Sequence, residues 1–224
     1  MTGAGCPSGQ ASPRIATRAD APVVTRILVD AFHDDPMWGA WAFPDPATRR
    51  PYREAIFRQL VEGAMRYPHV WLAADDTAAA VWIPPGGTEM SAAQEARIDE
   101  MLKDSLGERA QAVLHAFELF EQARPTIPHF YLTLLGTDPN HAGKGLGRRL
   151  LGSSLWHVDR EELPAYLEAD DRLVPLYQQF GFGVLRRFEL GDGPTVNAMW
   201  RDPRPIATES HMPGMFQVST SNRR

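Results

Sequence analysis

Residues 138–151 read Asp-Pro-Asn-His-Ala-Gly-Lys-Gly-Leu-Gly-Arg-Arg-Leu-Leu, a glycine-dense turn between an apolar stretch (Phe130 to Leu135) and an amphipathic one (Leu146 to Val158). Strand, glycine loop and helix in that order build an anion site: glycines let the backbone come close, and several N–H groups at the helix start point at one spot. A diphosphate is the expected occupant. A P-loop does not fit, because Gly136 and Gly143 are too far apart and Lys144 is followed by Gly145, which places no hydroxyl for magnesium. A dinucleotide fingerprint does not fit either: Gly143 and Gly145 match its start, but Arg148 stands at the third glycine. Other chemistry-bearing residues are scattered. Glu168 ends a short apolar run; His129, Tyr131 and Thr133 alternate along one stretch, so a regular strand puts them on one face. The remaining histidines, His33, His69, His115, His141, His157 and His211, show no metal-ligand spacing, so no metal site is expected.

These residues need elements to hold them. The chain of 224 residues suits one domain with tails: 1–12 as an N-terminal tail, 13–203 as the domain and 204–224 as a C-terminal tail. A hydrophobic content of 43% can fill a single core. The net charge of −5 argues against a nucleic-acid partner. Cys6 is the sole cysteine, which suits a reducing, cytoplasmic setting and leaves no buried thiol nucleophile. Met1 to Ser12 lacks the basic and apolar regions of a secretory signal. No run approaches the roughly 18–20 apolar residues of a membrane span, so no membrane partner is expected.

Periodicity supplies the element order. Arg14–Arg18 reads as a short strand, with a helix from Asp20–Pro22 to about Asp35–Pro36. An aromatic connection (Trp38, Trp41, Phe43) leads to a helix over about Pro51–Tyr67. Val70–Ala74 and Ala78–Ile83 form a hairpin, and Ser91 with Gln94 forms the capping box of a helix reaching about Leu106. Glu108–Gln122 is a further helix. Phe130–Leu135, nearly continuous in apolar and aromatic residues, reads as a central buried strand. After the loop come a helix to about Glu161, a strand at Ala165–Ala169, a short helix at Val174–Phe180, and strands at Phe182–Leu190 and Val196–Arg201. The sum is an α/β (α+β) domain: one mixed central sheet of about seven strands, with helices on both faces.

Three signatures resemble the GCN5-related N-acetyltransferase superfamily over about residues 14–201. The loop Ala142-Gly143-Lys144-Gly145-Leu146-Gly147 is similar to that family's coenzyme A pyrophosphate loop. Tyr177-Gln178-Gln179-Phe180-Gly181-Phe182 resembles its Tyr-x-x-x-Gly-Phe helix end, and Ile15 to Pro22 its opening strand and helix. Leu135-Gly136-Thr137-Asp138-Pro139 and Tyr166-Leu167-Glu168-Ala169 are similar to puromycin N-acetyltransferase and other acetyltransferases that modify small molecules. Two positions depart from the pattern: Ala142 stands where Gln or Arg is usual, and Leu173 where relatives carry Asn.

The resemblance implies a single acetyltransferase domain. It implies acetyl-CoA as cofactor and a primary amine on a small molecule, an antibiotic or a metabolite, as acceptor. Tyr177 is the expected general acid and Glu168 the expected general base. Leu135, Gly136 and Thr137 would bond the pantetheine arm through their backbone, and Ala142 to Arg148 (Ala142, Gly143, Lys144, Gly145, Leu146, Gly147, Arg148) would hold the pyrophosphate. Asp34, Asp35, Trp38, Trp41, His129 and Tyr131 are the expected acceptor-site residues, with His129 a rival base. The expected assembly is a monomer or homodimer. A protein amine as acceptor and a non-catalytic acyl-CoA-binding module are the alternatives, and Ala142 and Leu173 keep the second open.

Overall fold

The computed structural model describes residues 12–205. The expected tails fall almost wholly outside that range. Strand β4 (Phe130–Thr137) sits fourth in a seven-stranded sheet of order β1-β2-β3-β4-β5-β7-β6. The other strands are β1 (Arg14–Ile15), β2 (Val70–Leu72), β3 (Ala78–Ile83), β5 (Ala165–Asp170), β6 (Gly183–Glu189) and β7 (Thr195–Arg201). Every neighbouring pair is antiparallel except β4 with β5, which is parallel. The mixed sheet is as the periodicity predicts.

Helices cover both faces because the strands are apolar on both. Ala79, Val81 and Ile83 of β3 pack into one cluster with α1 (Ala21–Ala31) and α2 (Pro46–Ala64). The helical hairpin α3 (Ala92–Leu106) and α4 (Glu108–Ala123) joins that cluster through Ile98, Leu102, Ala110 and Val113. Ala78, Ala80 and Trp82 of β3 face the other way, onto α5 (Leu146–Arg160) and Tyr177 of α6 (Val174–Gln179). The capping box of α3 forms as expected: the Ser91 hydroxyl accepts the Gln94 amide, and Gln94 accepts the Ser91 amide. Helix α2 starts five residues before the expected Pro51. Asp45 caps it by accepting the Ala47 amide at 3.0 Å, and Pro51 sits inside the helix.

One irregularity organises the molecule. On β3, Val81 pairs with Leu134 and Trp82 with Leu132, so Thr133 has no partner there and bulges. A bulge bends its strand and resets which face each later residue meets. Tyr131 and Leu134 therefore lie in the same cluster, where regular alternation would separate them. Pairing of β4 with β5 runs through Phe130↔Ala165, Tyr131↔Tyr166 and Leu132↔Leu167, then stops at the bulge. Beyond it β4 bonds only to β3, and Glu168 to Asp170 bond only to β7. The sheet parts between its two central strands.

Candidate active site

A cavity of about 1020 Å³ opens where β4 and β5 part. Tyr131, Thr133 and Leu135 come from β4, Glu168 and Asp170 from β5, and Tyr177 from α6. The hairpin α3–α4 closes the opposite side with Phe117, Phe120 and Arg124. The size suits a small-molecule site.

Glu168 lies deep in this wall. Burial raises its carboxyl to about 7; the Arg124 guanidinium and the Tyr131 and Tyr166 hydroxyls pull it down, and Glu89 adds to the rise. Among the described residues its Oε1 has no hydrogen-bond partner, and neither has the buried Tyr166 hydroxyl. Such a carboxyl exchanges a proton near neutrality, which suits a general base. Tyr177 behaves oppositely. Burial, then the charges of Asp170 and Asp35, raise its hydroxyl above the ordinary phenol range. The phenol keeps its proton and can donate it. Glu168 and Tyr177 share the cavity wall, as a base and an acid in one reaction must.

The segment after α1 supplies part of the lining. The Asp35 carboxylate accepts the amides of Met37 at 2.9 Å and Trp38 at 2.7 Å, and both Asp35 and Trp38 reach the cavity. Burial raises the Asp35 carboxyl, while those two amides pull it down. Trp38 packs on Phe117 with ring centroids 5.5 Å apart, which ties this segment to α4.

Three expected acceptor residues are not on the cavity wall. Asp34 is 96% exposed, beside His33, and points to solvent. Trp41 donates its Nε1–H to Asp192 at 2.8 Å and lies under Arg109, 4.7 Å from the guanidinium, so it fastens the β6–β7 turn to α4. His129 donates Nδ1–H to the Ile127 carbonyl at 2.6 Å and packs its ring on Tyr166 and Trp200. Burial lowers its pKa, so it stays a neutral structural imidazole. Asp35, Trp38 and Tyr131 do line the cavity.

The glycine turn lies at the end of β4, beyond Leu135, and its three glycines serve different ends. Gly143 and Gly145 adopt φ of +76° and +71°, which side chains rarely tolerate. Gly147 brings α5 against β4, since a Cβ there would stand 2.7 Å from Thr137 Oγ1. Gly145 is the N-cap of α5 and has no side chain to accept its first amides. Those amides remain available to an anion, which fits the diphosphate of a coenzyme A. Ala142, Lys144 and Arg148 are exposed; Arg148 donates to Gln179. Gly136 lets α1 close on β4: its Cβ would meet that of Ala31 at 2.7 Å. Leu173, half-exposed, lines the cavity.

Sequence reasoning missed Arg124, Glu89 and the role of Thr133. The Arg124 guanidinium lies 4.1 Å over the Tyr131 ring and bonds Glu89 at 3.0 Å; Glu89 also accepts the Thr133 hydroxyl. The only local sign is Pro125, which holds the preceding residue extended and ends α4. No group of three or more His, Cys, Asp or Glu that could hold a metal occurs among the described residues.

Known proteins resemble this chain in part of its sequence and in its fold. Residues 95–199, from α3 into β7, match the family model described as acetyltransferase (GNAT) domain. Mycothiol acetyltransferase of Propionibacterium freudenreichii subsp. shermanii is 34% identical over 79 residues, covering 34% of this chain and 25% of that protein. This chain thus matches a quarter of that relative's length. A structure described as histone acetyltransferase HPA2 and related acetyltransferase from Corynebacterium glutamicum aligns over 88% of this chain and 98% of its own. Its TM-score is 0.64 and its identity 23%. The Drosophila melanogaster polyamine N-acetyltransferase covers 85% of this chain and 98% of its own, with a TM-score of 0.58 and 15% identity. At these identities the structures speak for the fold. The matched residues, 95–199, include the parted strands and the uncapped glycine turn, so the likeness to an acetyltransferase (GNAT) domain falls on the segment that builds the site.

Proposed function

We propose that this protein is an acetyl-CoA-dependent N-acetyltransferase acting on a primary amine of a small molecule by direct transfer. The observation that carries this reading is the placement of Glu168 and Tyr177 on one cavity wall, with opposite proton affinities, where β4 and β5 part. Acetyl-CoA supplies the acetyl group as an activated thioester. The uncapped amides at Gly145 to Arg148 would hold its diphosphate, and the free edge of β4 at Leu135 to Thr137 its pantetheine arm. Glu168 takes the proton from the acceptor's ammonium. The Tyr177 hydroxyl returns one to the departing sulfur. No cysteine occurs in residues 12–205, so no thiol stands ready to take the acetyl group first.

The cavity wall supports a cationic acceptor. It carries Asp35, Glu89, Glu168 and Asp170, with four more carboxylates on α3 and α4, against two cations, Lys103 and Arg124. Such a surface draws in an ammonium group. The aromatic closure by Trp38, Phe117 and Phe120 favours a small molecule over a protein surface. The matched relative is named as an acetyltransferase, which agrees with the reaction class. The test is to titrate acetyl-CoA and then follow thiol release with a panel of small amines and lysine peptides. Thiol release with small amines is the expected result. Binding of acetyl-CoA with no turnover on any amine would leave a binding module, and turnover on peptides alone would move the acceptor to protein.

A further inference from the structure

We propose that Arg124 is the positioning residue of the acceptor site: its guanidinium, anchored on the Tyr131 ring and on Glu89, keeps the Glu168 carboxylate ionised so that it can take the proton of the acceptor's ammonium. This inference rests on the reading of Glu168 as base.

The geometry begins in the sequence. Pro125 forbids a further helical turn, so Arg124 leaves α4 extended, at φ −68° and ψ 128°. The side chain can then turn into the cavity. There it stacks 4.1 Å from the Tyr131 ring centroid, and its two terminal nitrogens bond Glu89 and Glu121, each at 3.0 Å. A planar guanidinium can stack and fork at once, which an ammonium cannot. Glu89 in turn accepts from Thr133, the bulged residue of β4. Arg124 is thus fixed to the irregularity that opens the sheet.

Besides Arg124, three groups face the same carboxylate. Tyr131 comes from β4, Glu89 from the β3–α3 connection and Tyr166 from β5 itself; Arg186 of β6 acts on Tyr166. Of the strongest influences on Glu168, Arg124 is the cation. A carboxyl buried there without it would hold its proton at neutral pH and could accept none. Three buried polar atoms here have no partner among the described residues: the Tyr166 hydroxyl already noted, and two of opposite sense. Arg124 Nε–H is a buried donor and Glu168 Oε1 a buried acceptor, and neither has a partner among the described residues. Unpaired buried groups are costly, and a water that accepts from Arg124 Nε–H and relays the ammonium's proton to Glu168 would complete the set.

The test reads Glu168 directly, by carboxyl NMR titration of the glutamate-labelled full chain, alongside the pH profile of kcat/KM. Arg124→Gln should move the Glu168 midpoint up by about one to three pH units, as loss of an adjacent opposite charge does, and carry the acid limb of kcat/KM with it. Arg124→Lys should restore both toward wild type, because it keeps the charge and loses the stack. An Arg124→Gln protein with lower activity or melting temperature but an unmoved midpoint overturns the inference and leaves Arg124 structural. A midpoint that moves while the rate limb stays put sinks Glu168 as the base and the inference with it. The two failures are therefore distinguishable.

Discussion

As the proposed base and acid, Glu168 and Tyr177 must hold opposite protonation states at one pH, and their surroundings set that order. Burial lifts the Glu168 carboxyl to about 7, so it is deprotonated above neutrality. Burial and two nearby carboxylates lift the Tyr177 hydroxyl above its ordinary value, so it keeps its proton well past that point. The sign follows: kcat/KM should rise with pH through about 7 and should not fall before about pH 10, the usual phenol value. A rate profile taken between about pH 5.5 and 9.5 checks it, and a decline above pH 8 would contradict Tyr177 as acid. Tyr177→Phe keeps the packing against Phe182 and loses only the proton. It should cut kcat by roughly 10-fold or more with little change in the KM for acetyl-CoA. Glu168 and Tyr177 each stand in a short local signature, and the structure brings both to one cavity wall. Arg124 stands in none, because a cation before a proline at a helix end reads locally as nothing more than a helix stop.

At the scale of elements, the cavity opens where β4 parts from β5, and the glycine turn follows β4 at its end. The turn's conformation depends on glycines at positive φ, and Gly145 is also where α5 begins. An alanine there costs about 1–2 kcal/mol in the left-handed region, and the loop relaxes by moving its amides. Gly145→Ala should therefore raise the KM for acetyl-CoA several-fold and leave kcat near wild type, since it touches neither Glu168 nor Tyr177. Equal losses in kcat and in kcat/KM would show that the turn shapes the reacting centre instead. The positions of helices and strands followed from period and caps, as at Ser91 and Gln94. The bulge did not. Simple alternation puts His129, Tyr131 and Thr133 on one face, but Thr133 is displaced by its missing partner on β3, and strand-to-strand register leaves no local trace.

Across the whole molecule, the contacts that escape sequence reading are those between distant elements. Trp41 looks like an acceptor-site aromatic, yet Asp192 and Arg109 take it into a joint between α4 and the β6–β7 turn. The strongest such joint lies on the opposite face. Arg201 of β7 donates to both oxygens of Asp159 on α5, at 2.6 and 2.7 Å, and through Nε to the Phe180 carbonyl at 2.8 Å. The pair is nearly buried, with side chains 4% and 11% exposed. Removing one partner strands the other's charge, which typically costs about 3–5 kcal/mol. Arg201→Met should lower the melting temperature by about 10 °C at neutral pH, while β5 and α6 keep the active cleft assembled below the transition. Burial disfavours the Asp159 carboxylate, but Arg201 together with the Arg204 amide and charge outweighs it and holds the group below the usual carboxylate range. A depressed carboxyl contributes stability above its unfolded value, near 4, and loses it as the pH falls toward its folded value. The gap between wild type and Arg201→Met should therefore be full at pH 7 and shrink below about pH 4. Thermal melts at both pH values read this directly, and a gap that stays constant into acid would mean that Arg201 stabilises by packing rather than by its charge on Asp159.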